Sequence, residues 1–517
     1  MFNFFRCSSR DVFKAKPTVL SIAGSDSGGG AGIQADIHTI RDLGGFATTI
    51  LTVITAQNSH QVTLVEPVSN KMLQQQALAL ASDLKPAAIK IGALGTAEVM
   101  AGVKTILEEQ FPNIPVVLDP VMVSTSGSKL MDDHSIDYFK NELINKSDLI
   151  TPNLQEAMVL TGREIKNLSD IVMAANDFIK MGAKRVLIKG GHAASAVSSD
   201  YYSDGNISFW IANCRWPHSN NHGSGCTLSS AIATALANGY SWEDAITLAK
   251  TYISQGIRLA RQIGSGPGPV CHEGWPVNPL DYPYLSNAPL DTIPEKLIFA
   301  SREFNLSKMY CIVSDIPTLQ AVLECDVDII QLKLVSDVVD EIDSFVKESC
   351  KLLRASGKTI ALYVNKDWQL ALKYKSAGVT GVNLNVKRDL SAVNFSALNA
   401  AGLEVGICGV QSLAELAKLT PFNLTYVGCG PITTQWSSSG RLIGFEQLLK
   451  VKEFCHSPIV IDGVNLESDI ADIKTSNIEN VAVALDFSNA VSKINIFSEE
   501  LSGAVSQVGE KRKASSP

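Results

Sequence analysis

Eight short apolar runs, rich in β-branched residues and separated by helical stretches, recur between residues 309 and 483. They are Met309–Val313, Ile329–Leu332, Ile360–Val364, Gly381–Leu384, Leu403–Ile407, Tyr426–Gly428, Ile459–Ile461 and Val481–Val483. Eight strand–helix units in about 200 residues predict a compact TIM barrel, with any site at the C-terminal strand ends. The first half also alternates. Val116–Leu118, Leu149–Thr151 and Val186–Lys189 read as strands, and Met72–Leu84, Asp170–Met181 and Trp242–Ile263 as helices. That order predicts an α/β doubly wound, largely parallel sheet with helices on both faces. Prolines at 276, 279, 283, 289 and 294, among Asn and Asp, mark an inter-domain linker. The expected organisation is therefore a domain over 17–275, a linker over 276–307 and a barrel over 308–505.

A length of 517 residues suits more than one domain, and 45% hydrophobic residues suffice for large cores. The net charge of −8 argues against a general nucleic-acid binder. No apolar run approaches the roughly 20 residues of a membrane span. The ten cysteines are scattered, which fits reduced thiols and a cytoplasmic setting. Met1 to Lys16 holds four basic residues and one acid, and reads as a short lead-in rather than a targeting segment.

Chemistry concentrates in Asn221-His222-Gly223-Ser224-Gly225-Cys226-Thr227-Leu228, where a glycine turn runs into a small-residue helix start. Free N–H groups at a helix N-terminus attract anions, and glycines let a phosphate approach. The same positive end should lower the pKa of Cys226. Read alone, the run suits either phosphoryl transfer beside a thiol or a tight turn before a buried helix. A second glycine run follows the buried strand Thr18–Gly24: Ser25-Asp26-Ser27-Gly28-Gly29-Gly30-Ala31-Gly32-Ile33-Gln34-Ala35-Asp36. Its spacing is neither the dinucleotide fingerprint nor the Walker pattern. A polar loop and a helix carrying Gln34 and Asp36 still suit a substrate pocket.

Together with Thr55-Ala56-Gln57-Asn58, Lys90-Ile91-Gly92, Leu118-Asp119-Pro120-Val121-Met122, Ile150-Thr151-Pro152-Asn153, Glu156, Lys189-Gly190-Gly191-His192 and Gly266–Val270, both runs resemble the hydroxymethylpyrimidine and phosphomethylpyrimidine kinase family. The likeness spans roughly residues 17 to 275 and implies a ribokinase-like fold, ATP and Mg²⁺ as cofactors and a homo-oligomer. It places Gly24, Asp36, Gln57 and Val121 at the aminopyrimidine. Cys226 matches the catalytic base, with backbone N–H groups from Gly223, Ser224, Gly225 and Cys226 on the transferred phosphoryl group. Lys189, Asp119, Thr151 and Asn153 match nucleotide-binding positions, and Glu156 and Asp119 positions near magnesium. Each has a plainer reading: Asp119 as a strand-end cap, Glu156 as a first-turn helix carboxylate, Lys189 as a solvated loop charge. His192 and His222 receive no ligand role, and no His/Cys set has zinc spacing. Where the family often carries a methionine, this chain has Ala93, which would widen the pocket toward a bulkier pyrimidine or a pyridoxal-like ring. Asn221, where the family often has threonine, is a mild change.

The barrel strand ends Ile330-Gln331-Leu332-Lys333, Val364-Asn365, Gly381-Val382, Tyr426–Ile432 and Ile461–Val464 resemble thiamine phosphate synthase over roughly 308 to 500. The resemblance marks Gln331, Lys333, Asn365 and Gly430 as site remnants, with thiazole phosphate or thiamine phosphate as ligands. The departures are dense. The family's Asn-Asp-Arg is Asn365-Lys366-Asp367, its Gly-Gln-Glu-Asp is replaced by Asn385-Val386-Lys387-Arg388-Asp389, and a family His is Asn383. The phosphate loop reads Thr433-Thr434-Gln435-Trp436-Ser437-Ser438-Ser439 without lysine, and paired glycines became Asp462-Gly463. A cation cannot coordinate Mg²⁺. The expectation is a barrel that kept its fold and lost ordinary synthase catalysis, unless Asp367 or Asp389 substitutes by a register shift. The alternatives are a fully bifunctional kinase and synthase, and a pyridoxal-type kinase with a binding barrel.

Overall fold

A computed structural model describes residues 15–500 apart from 124–129, 191–195, 290–291, 293, 306–307, 434–441, 465–467, 477 and 499. The chain divides into two compact units, the first ending at Ile293 and the second starting at Pro294.

The first unit alternates as predicted. Its elements are β1 (Thr18–Asp26), α1 (Gly32–Asp42), β2 (Phe46–Gln57), β3 (Val62–Pro67), α2 (Asn70–Asp83), β4 (Ala88–Ile91), α3 (Ala97–Glu109), β5 (Val116–Leu118), α4 (Asp133–Tyr138), β6 (Leu149–Ile150), α5 (Leu154–Thr161), α6 (Leu168–Lys180), β7 (Val186–Ile188), β8 (Val197–Ser203), β9 (Ser208–Cys214), α7 (Ser224–Ala237), α8 (Trp242–Arg258) and β10 (Tyr284–Ser286). They build one ten-stranded sheet in the order β10-β9-β8-β7-β6-β5-β4-β1-β2-β3. The six central strands from β7 to β2 are parallel, and hairpin strands extend both edges antiparallel. Central strands read as continuous apolar runs because helices cover both faces. Leu20, Ile22, Ile89, Ile91 and Leu118 are buried with Met100, Ile106 and Phe178 from the covering helices. Helix starts follow their capping residues: Asn153 with Glu156, and Asn167 with Asp170, form reciprocal capping boxes.

The expected linker over 276–307 is largely built into the units. Tyr284–Ser286 pairs with β9, and Asp281 is buried against Arg258 at 2.6 Å. Proline density marks irregular backbone, and here that backbone still packs.

In the second unit β11 (Leu297–Ile298) pairs with β17 (Phe422–Asn423). The strands β12 (Tyr310–Val313), β13 (Ile329–Leu332), β14 (Ala361–Asn365), β15 (Gly381–Asn385), β16 (Glu404–Val410), β18 (Tyr426–Cys429), β19 (Ile459–Ile461) and β20 (Asn480–Ala484) close into a parallel barrel. Each of the eight runs named above forms one of these strands. The barrel is filled by Tyr310, Tyr363 and Tyr426, whose rings lie 5.7 to 6.0 Å apart. Their hydroxyls are satisfied: Tyr310 and Tyr426 bond each other at 2.8 Å, and Tyr363 donates to Glu404, which Arg302 also grips.

Candidate active site

Two glycine loops meet at the C-terminal ends of the first unit's central strands. The first leaves β1. Asp26 accepts the N–H groups of Gly28 and Ala31, each at 2.8 Å, and so folds the loop back on itself. Gln34 braces it by accepting from Asp26 N at 3.0 Å and donating to Ser25 at 2.8 Å. The second loop, Asn221–Gly223, is tied to the first through His222, whose Nε2 lies 3.2 Å from the Asp26 carboxylate. Gly223 has φ +78°, and a Cβ there would collide with the Gly30 carbonyl. Only glycine permits both that conformation and that approach.

Gly223 caps α7. Ser224 N–H is bonded to Asn221 O at 3.1 Å, whereas Gly225 and Cys226 N–H have no acceptor among the described residues. The anion-binding donors are thus narrower than the four expected, with Ser224 already used. Cys226 sits on this first turn, facing a cavity of about 690 Å³. Its pKa does not fall as expected. Burial pushes the thiol up to about 11, against the pull of Lys90 and of the Gly32 N–H, and Asp36 and Asp119 add to the rise. Desolvation outweighs the helix end, because removing a thiolate from water costs more than partial charges return.

A largely buried charged group lines the same cavity as Cys226. Lys189, just past β7, bonds Asp119 Oδ1 at 2.9 Å. Asp119 Oδ2 takes a contact from Ser229 of α7 at 3.4 Å, and Oδ1 one from Thr151 at 3.4 Å. Glu156 accepts from Asn153 N at 2.7 Å in the capping box, a first-turn carboxylate that is buried rather than exposed, and it also lines the cavity. Burial raises its carboxyl to about 7, Lys189 opposes that and Asp119 reinforces it. Two carboxylates share one ammonium.

Gly24, Gln57, Val121, Asp119, Asn153, Glu156, Lys189 and the run Gly223–Cys226 all line the cavity. Two predicted residues do not. Thr151 is fully buried behind Asp119. Asp36 is also fully buried, held by Lys90 at 2.8 and 2.9 Å, Ser21 at 2.5 Å and Ser230 at 2.7 Å. Its carboxylate is consumed inside the protein, so it does not reach the cavity where a ring would sit. His192 lies outside the described residues.

The structure adds groups that motif reading missed. Lys250 of α8, which also lines the cavity, pairs with Asp200 of β8 at 2.6 Å, and Asp200 also receives Gly190 N at 3.0 Å. Asn213, Trp216 and Ser254 line it too, with Asn213 Oδ1, Trp216 Nε1 and Ser254 Oγ buried and without partners among the described residues. Their one legible signal was charge inside buried elements, at Asp200 and Lys250.

At the barrel mouth, Lys333, Asn365 and Gly430 follow or end strands, as expected. Asn365 Oδ1 accepts Leu334 N at 2.8 Å, and Gly430 O accepts from Gln411 at 3.2 Å. Gln331 instead belongs to the interior, accepting from Tyr310 at 3.0 Å and from Asn383 at 2.5 Å. Lys366 stands in the left-handed region at φ +55°. Asp367 caps a helix by accepting Leu370 N at 2.9 Å, and Asp389 accepts Asn385 N at 2.6 Å. The loop 434–439 lies outside the described residues. Among the described residues no group of three or more His, Cys, Asp or Glu side chains could hold a metal ion. None of the described helices is long and apolar enough to cross a membrane.

The family model for phosphomethylpyrimidine kinase matches residues 26–271, and that for thiamine monophosphate synthase matches 309–487. A probable chloroplastic thiamine biosynthetic bifunctional enzyme of Oryza sativa subsp. japonica is 31% identical over 484 residues, covering 90% of this chain and 85% of its own. The hydroxymethylpyrimidine/phosphomethylpyrimidine kinase of Bacillus subtilis (strain 168) is 40% identical over 271 residues, covering 52% of this chain and 98% of its own. A solved structure of Staphylococcus aureus pyridoxal kinase with pyridoxal has a TM-score of 0.49 and 31% identity, covering 53% of this chain and 100% of its own.

Proposed function

We propose, because this chain belongs to the family of bifunctional thiamine biosynthetic enzymes, that its first unit phosphorylates hydroxymethylpyrimidine and then its monophosphate with ATP. The observation that carries this reading is the cavity itself. The thiol and the Gly225 and Cys226 N–H groups, which have no acceptor among the described residues, line one cavity with Lys189, Asp119 and Glu156 and with Asn213 Oδ1, Trp216 Nε1 and Ser254 Oγ, which have no partner among the described residues. Buried polar atoms without partners cost roughly 1–3 kcal/mol each, a cost that a bound nucleoside removes.

The pyrimidine sits between Gly24, Gln57 and Val121, where the Gln57 amide serves both a ring nitrogen and an amino group. Its hydroxymethyl oxygen attacks the γ-phosphorus of ATP. The bond to the bridging oxygen breaks, and ADP leaves with the electron pair. The alcohol proton passes to the Cys226 thiolate. Gly225 and Cys226 N–H groups and the Lys189 ammonium offset charge on the transferred group. In the second round a phosphate oxygen of the monophosphate is the nucleophile.

Magnesium fits the donor set. Asp119 and Glu156 crowd one ammonium, and Mg²⁺ takes one or two carboxylates together with nucleotide phosphates. Bound there, it would neutralise phosphate charge. The barrel mouth does not fit the magnesium that its resemblance implies. Lys366 occupies a carboxylate position, and Asp367 and Asp389 already cap backbone N–H groups. In this reading the barrel is a synthase-like domain without magnesium-dependent catalysis. Nine free cysteines among the described residues suit a reducing compartment, which we take as the cytoplasm.

Cys226→Ala tests the kinase reading. Turnover should fall about 10²–10⁴-fold, the contribution of a positioned base, while ATP still binds. Near-normal turnover would remove Cys226 from the base role.

A further inference from the structure

Lys90 is a lysine at the centre of the first unit's sheet, with no exposure to solvent and no role in the chemistry above. It stands on β4 within the apolar run Ala88-Ile89-Lys90-Ile91. Its ammonium bonds both oxygens of Asp36 on α1, whose side chain is equally buried. Asp36 in turn receives Ser21 of β1 and Ser230 of α7, so the pair lies under α7 one turn beyond Cys226. A Cβ at Gly92 would meet Lys90 Nζ at 2.7 Å, so the backbone leaves room for the ammonium directly beside the cavity wall at Ala93.

A buried ion pair is a costly way to join four elements. Apolar residues of similar volume are often as stable or more so. Its placement under Ser230, one turn along α7 from the thiol and on the same helix face, suggests a different use. We propose that Lys90 is a positioning residue for phosphoryl transfer: its buried ammonium, held in place by Asp36, stabilises the thiolate of Cys226. This rests on Cys226 being the base.

The charged groups facing Cys226 come from four elements. Lys90 on β4 and Lys189 after β7 favour the thiolate, and Asp36 on α1 and Asp119 after β5 oppose it. His222 and Asp26 form a further pair on the adjoining loops. Burial is the largest influence on the thiol and opposes ionisation. Lys90 is the largest influence in its favour and exceeds the opposition from Asp36. Burial alone would lower the pKa of the Lys90 ammonium. Asp36, with Cys226 and Asp119, outweighs it and keeps the ammonium charged.

The sign of the effect separates this role from a structural one. Lys90→Met and Asp36→Asn break the same ion pair, so loss of packing or geometry would move both variants the same way. Loss of a cation and loss of an anion move the thiolate in opposite directions. The readout is the rate of iodoacetamide alkylation of Cys226 between pH 8 and 10, resolved by peptide mass spectrometry on the full chain. Lys90→Met should slow alkylation at least threefold and Asp36→Asn should speed it by a similar factor, each about half a pKa unit. Ser230→Ala, which removes a hydrogen bond to Asp36 without changing charge, should stay within about twofold.

If either single variant fails to fold, Lys90→Met with Asp36→Asn keeps the volume and removes both charges. It should alkylate more slowly than the parent, since Lys90 outweighs Asp36. Equal rates in parent and double variant, or single variants that move together, would overturn the proposal. Retained turnover in Cys226→Ala would overturn the base reading instead, and the alkylation rates would still report what Lys90 does to the thiol.

Discussion

Lys189 Nζ lies 2.9 Å from Asp119 Oδ1, with Asp119 sealed from solvent and Lys189 nearly so. The two residues follow β7 and β5, the strands on either side of β6, and come together past its end because the sheet order sets β7, β6 and β5 in succession. Lys189→Met would leave the Asp119 carboxylate buried without its cation, a change that costs about 3–5 kcal/mol. Urea unfolding should show that loss. The KM for ATP should rise at least tenfold, as about 1.4 kcal/mol of lost binding to the phosphates requires. An unchanged KM would separate Lys189 from the nucleotide.

The pH dependence follows from Cys226. The base acts as thiolate, and burial raises the thiol to about 11. Below that value the thiolate fraction grows tenfold per pH unit, so kcat/KM should climb between pH 7 and 9 with a slope near one in log units. Initial rates in a constant-ionic-strength buffer series check this. A flat profile would mean that proton removal does not limit the chemical step.

Gly223→Ala tests the contact between loops. With φ at +78° and the Gly30 carbonyl in the way, alanine must push the two loops apart. Backbone strain of about 1–3 kcal/mol should appear as lower thermal stability, and kcat should fall more than KM changes. Full activity would show that the loops are not held in this register during turnover.

The strands were legible and the pairings were not. Val481–Val483 and Ile459–Ile461 could be read because burial on both sides leaves a continuous apolar run. Lys90 in a strand of that kind was a visible anomaly, but its partner lies 54 positions earlier in the chain. Nothing local distinguishes Asp36 in a cavity from Asp36 beneath it. At Cys226 the helix end would lower the pKa of an exposed thiol, but here desolvation of the thiol outweighs it. Tyr284–Ser286 was hidden in a proline-rich stretch whose edge pairing to β9 depends on a strand some seventy residues before it.

Ala93 lines the cavity beside Gly24 and Val53, and a Cβ at Gly24 would pass 3.8 Å from it. Ala93→Met should fill that space. If the wider pocket admits a pyridoxal-like ring, the variant should lose pyridoxal turnover about tenfold, within the 1–3 kcal/mol that pocket volume controls, and keep pyrimidine turnover. Parent enzyme that turns over only the pyrimidine would show that Ala93 does not broaden the choice of substrate.

The most direct test supplies the purified chain, both units together, with hydroxymethylpyrimidine, ATP and Mg²⁺, with and without thiazole phosphate, and follows every product over time. Pyrimidine monophosphate should form first, then pyrimidine diphosphate that accumulates even when thiazole phosphate is present. No phosphorylated pyrimidine would contradict the kinase reading. Thiamine phosphate would contradict the reading of the barrel, and would mean that Lys366, Asp367 and Asp389 support the catalysis denied to them here.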